Sequence, residues 1–414
     1  MVTVLLFILI LGVLVIVHEF GHFITARMSG MKVYEFGFGY PPRVLSFYRD
    51  PKTKKIKFIW GKGSSSAKAS ADKKSGATLT NTIGGGEREE DEFPGMLYSI
   101  NLLPIGGFVR IKGENGEEAQ DPDSFGAHKA WKRVVVLVAG VTLNVIFAAI
   151  VLGVGFMIGL PTDMSRGVDK HAEIVENPSV IVQQVQVDTP ADEAGIKFGD
   201  KILRIGEGNT EWTKEEEWSG ESVDSLSLVA FVNEREGEEV SMIIARGDEE
   251  FVTKVIPEVF EGEQVAKIGI ALADAGIIRY PWHIAIYKGF VAAIFGLINI
   301  FVAFYFLVKN LVLGQGLLFD VAGPVGIANI VGQSAKLGIN YLLNVTAMLS
   351  LSLAAINILP IPALDGGRIL FIIIEKIIRR PVPMKYEQLA HTIGFMLLML
   401  LVVVVTWRDV VGLF

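Results

Sequence analysis

Nine residues, VIVHEFGHF from Val15 to Phe23, set two histidines and a glutamate inside an apolar run that begins at Val2. From Val2 to about Arg27 the chain can form a helix of roughly 25 residues rising about 1.5 Å each, enough to cross a hydrocarbon core of about 30 Å. Ionisable groups in such a segment are costly, and they persist where they have partners and a task. His18 and His22 are four residues apart, so both imidazoles share one helix face, one turn above the other, and can point at a single ion. Glu19 is rotated by about 100° from His18, too far to complete that ligand pair but well placed to touch a water at the metal, which is a general-base position. The bland alternative is that the spacing arises by chance and the histidines only hydrogen-bond between helices. The apolar setting weakens it, because three ionisable groups in little more than one turn need a partner, and Zn²⁺ is the obvious one.

The rest of the composition agrees with a chain that lives in lipid. It has 414 residues, 51% of them hydrophobic, and a mean hydropathy of +0.45, which suits an integral membrane core plus one extramembrane domain. The net charge of −7 is uneven: between Gly206 and Glu263 there are 17 Asp/Glu against 4 Lys/Arg, which argues against nucleic acid as a partner of that region. Cysteine is absent, so disulfides, thiolate metal sites and cysteine nucleophiles are excluded. Met1, Val2 and Thr3 carry no positive side chain, whereas Arg27, Lys32 and Arg43 follow the apolar stretch. A retained first helix is therefore expected, with its C-terminal end in the cytoplasm.

Patterning divides the chain further. The expectations are a first transmembrane helix over residues 1–30; a membrane-associated β-hairpin region over 31–60 and 93–115; a disordered low-complexity insert over 61–92; and a second transmembrane helix over 133–160. Alternating apolar residues and Gly turns over 165–272 predict a small extracytoplasmic α+β domain, followed by an apolar region at 282–335 and spans at 339–368 and 386–407. With the small domain outside and the basic run after Arg368 inside, an odd number of crossings must separate them. The span at 339–368 is one, so the stretch from Trp282 to Leu313 must be interfacial, re-entrant or a complete hairpin. Lys288, Lys309 and its aromatic residues favour an interfacial or re-entrant placement.

Two histidines leave zinc short of a third protein ligand, with one coordination place to be kept for water and substrate. Asp365, in NILPIPALDGGR from Asn357 to Arg368, is the best carboxylate near an apolar stretch. Its segment runs in the same direction as the first helix, so its depth matches that of His18 and His22. Pro360 and Pro362 break the helix and Gly366-Gly367 permits close packing, so the carboxylate can be aimed inward. The alternative is a solvated carboxylate beside a helix end.

HEFGH from His18 to His22, together with the Asn357-x-x-Pro360-x-Pro362-x-Leu364-Asp365-Gly366 pattern, resembles the bacterial site-2 proteases. GFGYPP from Gly37 to Pro42 is similar to that family's G-x-G-P element, IGGFVR from Ile105 to Arg110 to its membrane-facing hairpin, and WKRVVVLVAGVTLN from Trp131 to Asn144 to the start of its second span. Residues 179–257 resemble a single PDZ domain, most tellingly in ADEAGIKFGD from Ala191 to Asp200. Two departures stand out: the chain reads Gly140-Val141 where the family commonly has Gly-Pro, and it has room for one PDZ domain where Gram-negative members usually carry two.

The resemblance implies a polytopic α-helical membrane protein with about four transmembrane helices, a membrane-associated β-hairpin and an inserted α+β PDZ domain. It further implies an intramembrane zinc metalloprotease of the multi-pass inner membrane, its active site toward the cytoplasmic side, acting on transmembrane protein substrates in the lipid bilayer, such as anti-sigma factors or remnant signal peptides. Zn²⁺ would be held by His18, His22 and Asp365, with Glu19 moving the proton. Gly106 and Gly107 on the hairpin are candidates for holding an extended substrate by edge pairing. Asn357, Pro360, Pro362 and Asn144 are candidates for gripping its backbone, though buried Asn often only links helices. His391 reads as a helix-packing or interfacial residue rather than a ligand. The PDZ-like domain, with its acidic surface, is expected to act as a size or access filter above the active site, or to recognise the peptide terminus of a trimmed substrate, rather than as a tight-binding module. Rival classes are a metal or ion transporter and a catalytically inactive PDZ membrane scaffold.

Overall fold

The computed structural model describes residues 2–60, 95–114, 116, 120–164, 167–186, 188–207, 224–247, 249–260, 265–314 and 322–411. The helices are α1 (Val2–Met28), α2 (Ala130–Ile158), α3 (Pro190–Glu193), α4 (Ser225–Asn233), α5 (Trp282–Leu313), α6 (Pro324–Leu337), α7 (Ile339–Ile358), α8 (Asp365–Ile378) and α9 (Met384–Val411). The strands are β1 (Val33–Arg49), β2 (Ile56–Trp60), β3 (Leu97–Ile111), β4 (Leu160–Asp163), β5 (Glu173–Val185), β6 (Lys201–Glu207), β7 (Val240–Arg246), β8 (Glu249–Val255), β9 (Glu258–Val259), β10 (Ala266–Lys267) and β11 (Ile270–Arg279). Two compact units emerge, one of Met1–Phe147 with Leu349–Phe414 and one of Ala148–Met348, the cuts falling inside α2 and α7. The low-complexity insert expected at 61–92 lies outside the described residues.

In the first unit α1 and α2 are apolar over most of their surface, as helices in lipid must be, apart from the polar residues of the site, His18, Glu19 and His22 on α1 and Asn144 on α2. They pack with the sheet and α8 around Phe23, Ala26, Val33, Ile111, Val136, Leu137 and Ile372. The three strands pair in the order β2-β1-β3, but the expected hairpin is more elaborate. Glu35 to Phe38 are matched with Arg110 to Gly107 on one side and with Leu97 to Ile100 on the other. Both long strands turn back on themselves, at Gly39 (φ +78°) and Gly106 (φ +92°), positions where a side chain would be strained. One face carries a run of aromatic contacts, Phe58 to Phe47 (5.9 Å between ring centroids), Phe47 to Tyr98 (5.1 Å), Tyr98 to Phe36 (6.5 Å) and Phe36 to Phe23 of α1 (5.3 Å). Beyond it β2 exposes Ile56, Phe58 and Trp60, alternate residues of one strand face that fit a bilayer rather than water.

The opposite face holds a buried carboxylate. Glu35, 2% exposed, accepts from Arg43 Nη2 at 2.8 Å and Ser99 Oγ at 2.5 Å, with Arg110 Nη2 at 4.0 Å. It ties together the segments on either side of both turns.

Helix α7 stops at Ile358 and Asp365 opens α8, so the segment expected as one span over 339–368 is two helices joined by a corner. Pro360 and Pro362 supply no N–H to continue the α7 ladder, and Ala363 sits at φ +82°.

The second unit contains the expected small α+β domain. Its six-stranded sheet has the order β4-β11-β5-β6-β7-β8, closed over Val180, Val182, Ile202, Leu228, Val232, Met242 and Ile244. Asp200, fully buried, receives Arg246 through two bonds of 2.7 Å and the Lys197 N–H at 2.8 Å. Helix α4 is capped by Asp224, which accepts from Ser227 N–H at 2.7 Å.

Among the described residues five helices are long and apolar enough to cross a membrane, namely α1, α2, α5, α7 and α9. Sequence patterning placed the α5 stretch at the interface or as a re-entrant piece; it forms one continuous helix of 32 residues. Its start is tied to the end of α2, where Tyr280 N–H donates to Phe156 O at 2.8 Å. At the far end of the same stretch, the Leu337 side chain of α6 comes within 3.0 Å of where a Cβ on Gly199 would be.

Candidate metal centre

All residues of the candidate site lie in the first unit. Helical spacing brings His18 and His22 to one face of α1, as the sequence requires, with Nε2 atoms 3.1 Å apart. Tertiary structure adds Asp365, 347 positions after His18. Its Oδ2 lies 3.0 Å from His18 Nε2 and 3.3 Å from His22 Nε2. Among the described residues these three form the group of histidines and acids placed to hold a metal ion. Four-coordinate zinc at about 2.0–2.1 Å from its N and O ligands sets neighbouring ligand atoms about 3.3 Å apart. The spacings are therefore those of three corners of one tetrahedron.

The surroundings leave room for the ion and orient its ligands. Helix α2 passes the site at Gly140, where a Cβ would lie 2.6 Å from His22 Nε2 and 2.8 Å from His18 Nε2. A glycine here keeps the space between the imidazoles free. His22 Nδ1 is 2.8 Å from the carbonyl oxygen of Val136; a carbonyl can only accept, so Nδ1 carries the proton and Nε2 presents its lone pair inward. Fully buried Asn144 stands behind His18, its amide nitrogen 3.3 Å from Nδ1. Its Oδ1 has no hydrogen-bond partner among the described residues. If Nε2 of His18 faces a metal, Nδ1 bears the proton, and turning the amide over pairs that N–H with Oδ1. Asn144, a candidate for substrate contact in the sequence, is thus placed against a ligand.

Asp365 reaches the histidines because α8 starts hard against the end of α7. A Cβ on Gly366 would come within 2.1 Å of the Leu359 carbonyl oxygen, and one on Gly367 within 2.4 Å of that of Ile361. Close approach of two backbones is the physical use of the Gly-Gly pair.

A cleft of about 630 Å³ opens on this group, lined among others by Glu19, His22, Gly107, Val109, Asp365 and Arg368. Glu19 and Val109 share its wall. Gly107 also borders Glu19, whose Cγ lies 3.6 Å from where a Cβ on Gly107 would be. Arg368, three residues beyond Asp365, pairs with Glu114 after β3. Gly106 occupies the turn of β3, Asn357 the last turn of α7, and Pro360 and Pro362 the corner. Patterning passed over Val136, whose contribution is a backbone oxygen and leaves no mark in the sequence, and Arg368, whose only sign was its place one turn after Asp365.

Residues 6–75 and 88–401 match the sequence profile of peptidase family M50. A Clostridium perfringens protein provisionally named a zinc metalloprotease is 32% identical over 400 residues, covering 96% of this chain and 95% of its own. The zinc metalloprotease RasP of Oceanobacillus iheyensis is 29% identical with 100% of both chains covered. The regulator of sigma-W protease RasP of Bacillus subtilis is also 29% identical, over 100% of this chain and 99% of its own. A solved PDZ domain of the SdrC-like protein from Listeria monocytogenes is 21% identical over 23% of this chain and 88% of its own, with a TM-score of 0.19. With the profile running through nearly the whole sequence and the histidine pair meeting Asp365 inside it, the chain belongs to peptidase family M50.

Proposed function

We propose that this M50 peptidase is an intramembrane zinc metalloendopeptidase that hydrolyses peptide bonds within or next to transmembrane segments. The observation that carries the reading is the convergence of His18 Nε2, His22 Nε2 and Asp365 Oδ2 to within 3.0–3.3 Å of one another on helices apolar enough for lipid. These three residues would hold Zn²⁺, which when bound polarises the scissile carbonyl and lowers the pKa of water. Glu19, on the cleft wall, takes the proton from the attacking water and passes it to the leaving amine. The strand segment from Gly107 to Ile111 borders the cleft and is suited to hold an unwound substrate by edge pairing. Asn357 remains a candidate for gripping substrate backbone.

The chain is read as a multi-pass inner-membrane protein with the small domain extracytoplasmic and the site toward the cytoplasmic side. The start of α5 and the end of α6 both lie against the elements that begin and build that domain. Residues 282–337 therefore return to the side they left, which keeps the single net crossing by α7 that the charge pattern requires. Substrates are membrane proteins; the name of the Bacillus subtilis relative favours membrane-embedded regulators such as anti-sigma factors, beside remnant signal peptides. The small domain would act as an access filter.

Full-length protein assayed on a tagged transmembrane peptide, wild type against Glu19→Gln, tests the reading. Zinc retained with cleavage lost is expected for the variant. Metal passage across vesicles without cleavage would instead favour a transporter, and absence of both an inactive scaffold.

A further inference from the structure

The corner that carries Asp365 into the cleft is caught from α9. Within it, Ile361 N–H bonds to Leu359 O at 2.7 Å and Leu364 N–H to Ile361 O at 3.2 Å. Ala363 stands between them at φ +82°, a left-handed conformation in which its Cβ crowds the backbone. Its N–H donates to His391 Nδ1, 28 residues further on, at 2.8 Å. One turn later on the same face of α9, a Cβ on Gly394 would lie 2.4 Å from the Pro362 carbonyl oxygen, so the helix fits flush against the corner. The imidazole also reaches α8 itself, its centroid 5.7 Å from that of Phe371.

We propose that His391 is a positioning residue for Asp365: by accepting the Ala363 N–H it holds the left-handed corner, so that α8 begins with its carboxylate directed at His18 and His22. Without that acceptor the half-buried N–H loses its partner, and Ala363 is free to relax toward the right-handed region. Asp365 follows by two residues, so rotation at Ala363 swings the ligand away from the histidines. A residue that merely packed the helices would be replaceable by any side chain of similar volume. One that positions requires an acceptor atom at the Nδ1 position. The inference rests on the reading of His18, His22 and Asp365 as metal ligands.

The test uses full-length protein in detergent carrying His391→Phe, which keeps the ring and removes the acceptor, and His391→Asn, whose Oδ1 stands where Nδ1 does. Zinc affinity is measured by chelator competition and ligand geometry by the absorption of the cobalt(II)-loaded protein. His391→Phe is expected to weaken zinc binding about tenfold and alter the cobalt spectrum, while His391→Asn stays within about threefold of wild type with an unchanged spectrum. Should His391→Phe fail to fold, the Asn variant decides alone: near-wild-type affinity supports the role, and a tenfold loss in a folded protein overturns it. Unchanged binding in His391→Phe, or equal loss in both variants, likewise overturns the role of His391. Wild-type protein that binds no zinc overturns the ligand reading itself.

Discussion

Gly140 of α2 faces His22 so closely that a Cβ on it would lie 2.6 Å from Nε2, inside the space between the two imidazoles. Gly140→Ala should therefore lower zinc affinity at least tenfold while leaving α2 helical, since Ala is the better helix former. Zinc content after dialysis against a weak chelator measures it, and wild-type stoichiometry in the variant would contradict the placement of the metal.

Asn144 acts on His18 from the far side of the ring, 3.3 Å from Nδ1. Removing such an outer hydrogen bond costs about 10–100-fold in metal affinity. Asn144→Leu should show a loss of that size, whereas Asn144→Asp, which keeps an acceptor, should retain most of the binding. A substrate-gripping role would give the reverse pattern, with zinc binding intact in Asn144→Leu and KM raised.

Glu35 is buried and paired with Arg43 and Ser99. Glu35→Ala leaves Arg43 without its carboxylate in a buried setting, which costs about 3–5 kcal/mol; Glu35→Gln, which can still accept from Ser99, should cost less. Thermal unfolding of the two variants in detergent reads the difference. Because Arg110 lies 4.0 Å from Glu35 and lines the cleft, cleavage should fall further than zinc content.

In the small domain, the Ser227 hydroxyl and N–H bonding to Asp224 hold that carboxyl below its usual range. A depressed carboxylate contributes to the folded state above the ordinary range and loses that contribution as pH falls through its folded value. Amide protection across residues 225–233, taken relative to the intrinsic exchange rate at each pH, should thus hold at neutral pH and fall on acidification below about pH 4. Asp224→Ala should show that loss already at pH 7, and protection unchanged by the substitution would show that the cap contributes nothing.

Local rules carried much of this molecule. The period of 3.6 residues placed His18 and His22 on one face, apolar length picked out the long helices, and alternation with Gly turns announced the small α+β domain. Those readings depend on neighbours within a turn or a strand, where backbone geometry alone relates one residue to the next. The β region was legible as strands but not as a sheet that folds back on itself, because that register depends on which segments meet after two turns. The break in the segment of Asp365 was legible in Pro360 and Pro362, whose missing N–H groups are a matter of residue type; the left-handed corner at Ala363 was not, because it also depends on a bond from α9.

The sequence by itself determined that two imidazoles and a carboxylate would sit in lipid short of a ligand, and the scarcity of carboxylates near apolar stretches picked out Asp365 as the candidate, which motif resemblance then supported. Only the tertiary structure decided the distances, the bare backbone at Gly140 that leaves space between the ligands, and the orientation of each ligand from behind by Val136, Asn144 and the corner held by His391. Ligand identity is a matter of side-chain chemistry, which can be read along a chain. Ligand geometry depends on how closely three helices and a corner approach one another, and that is settled by packing.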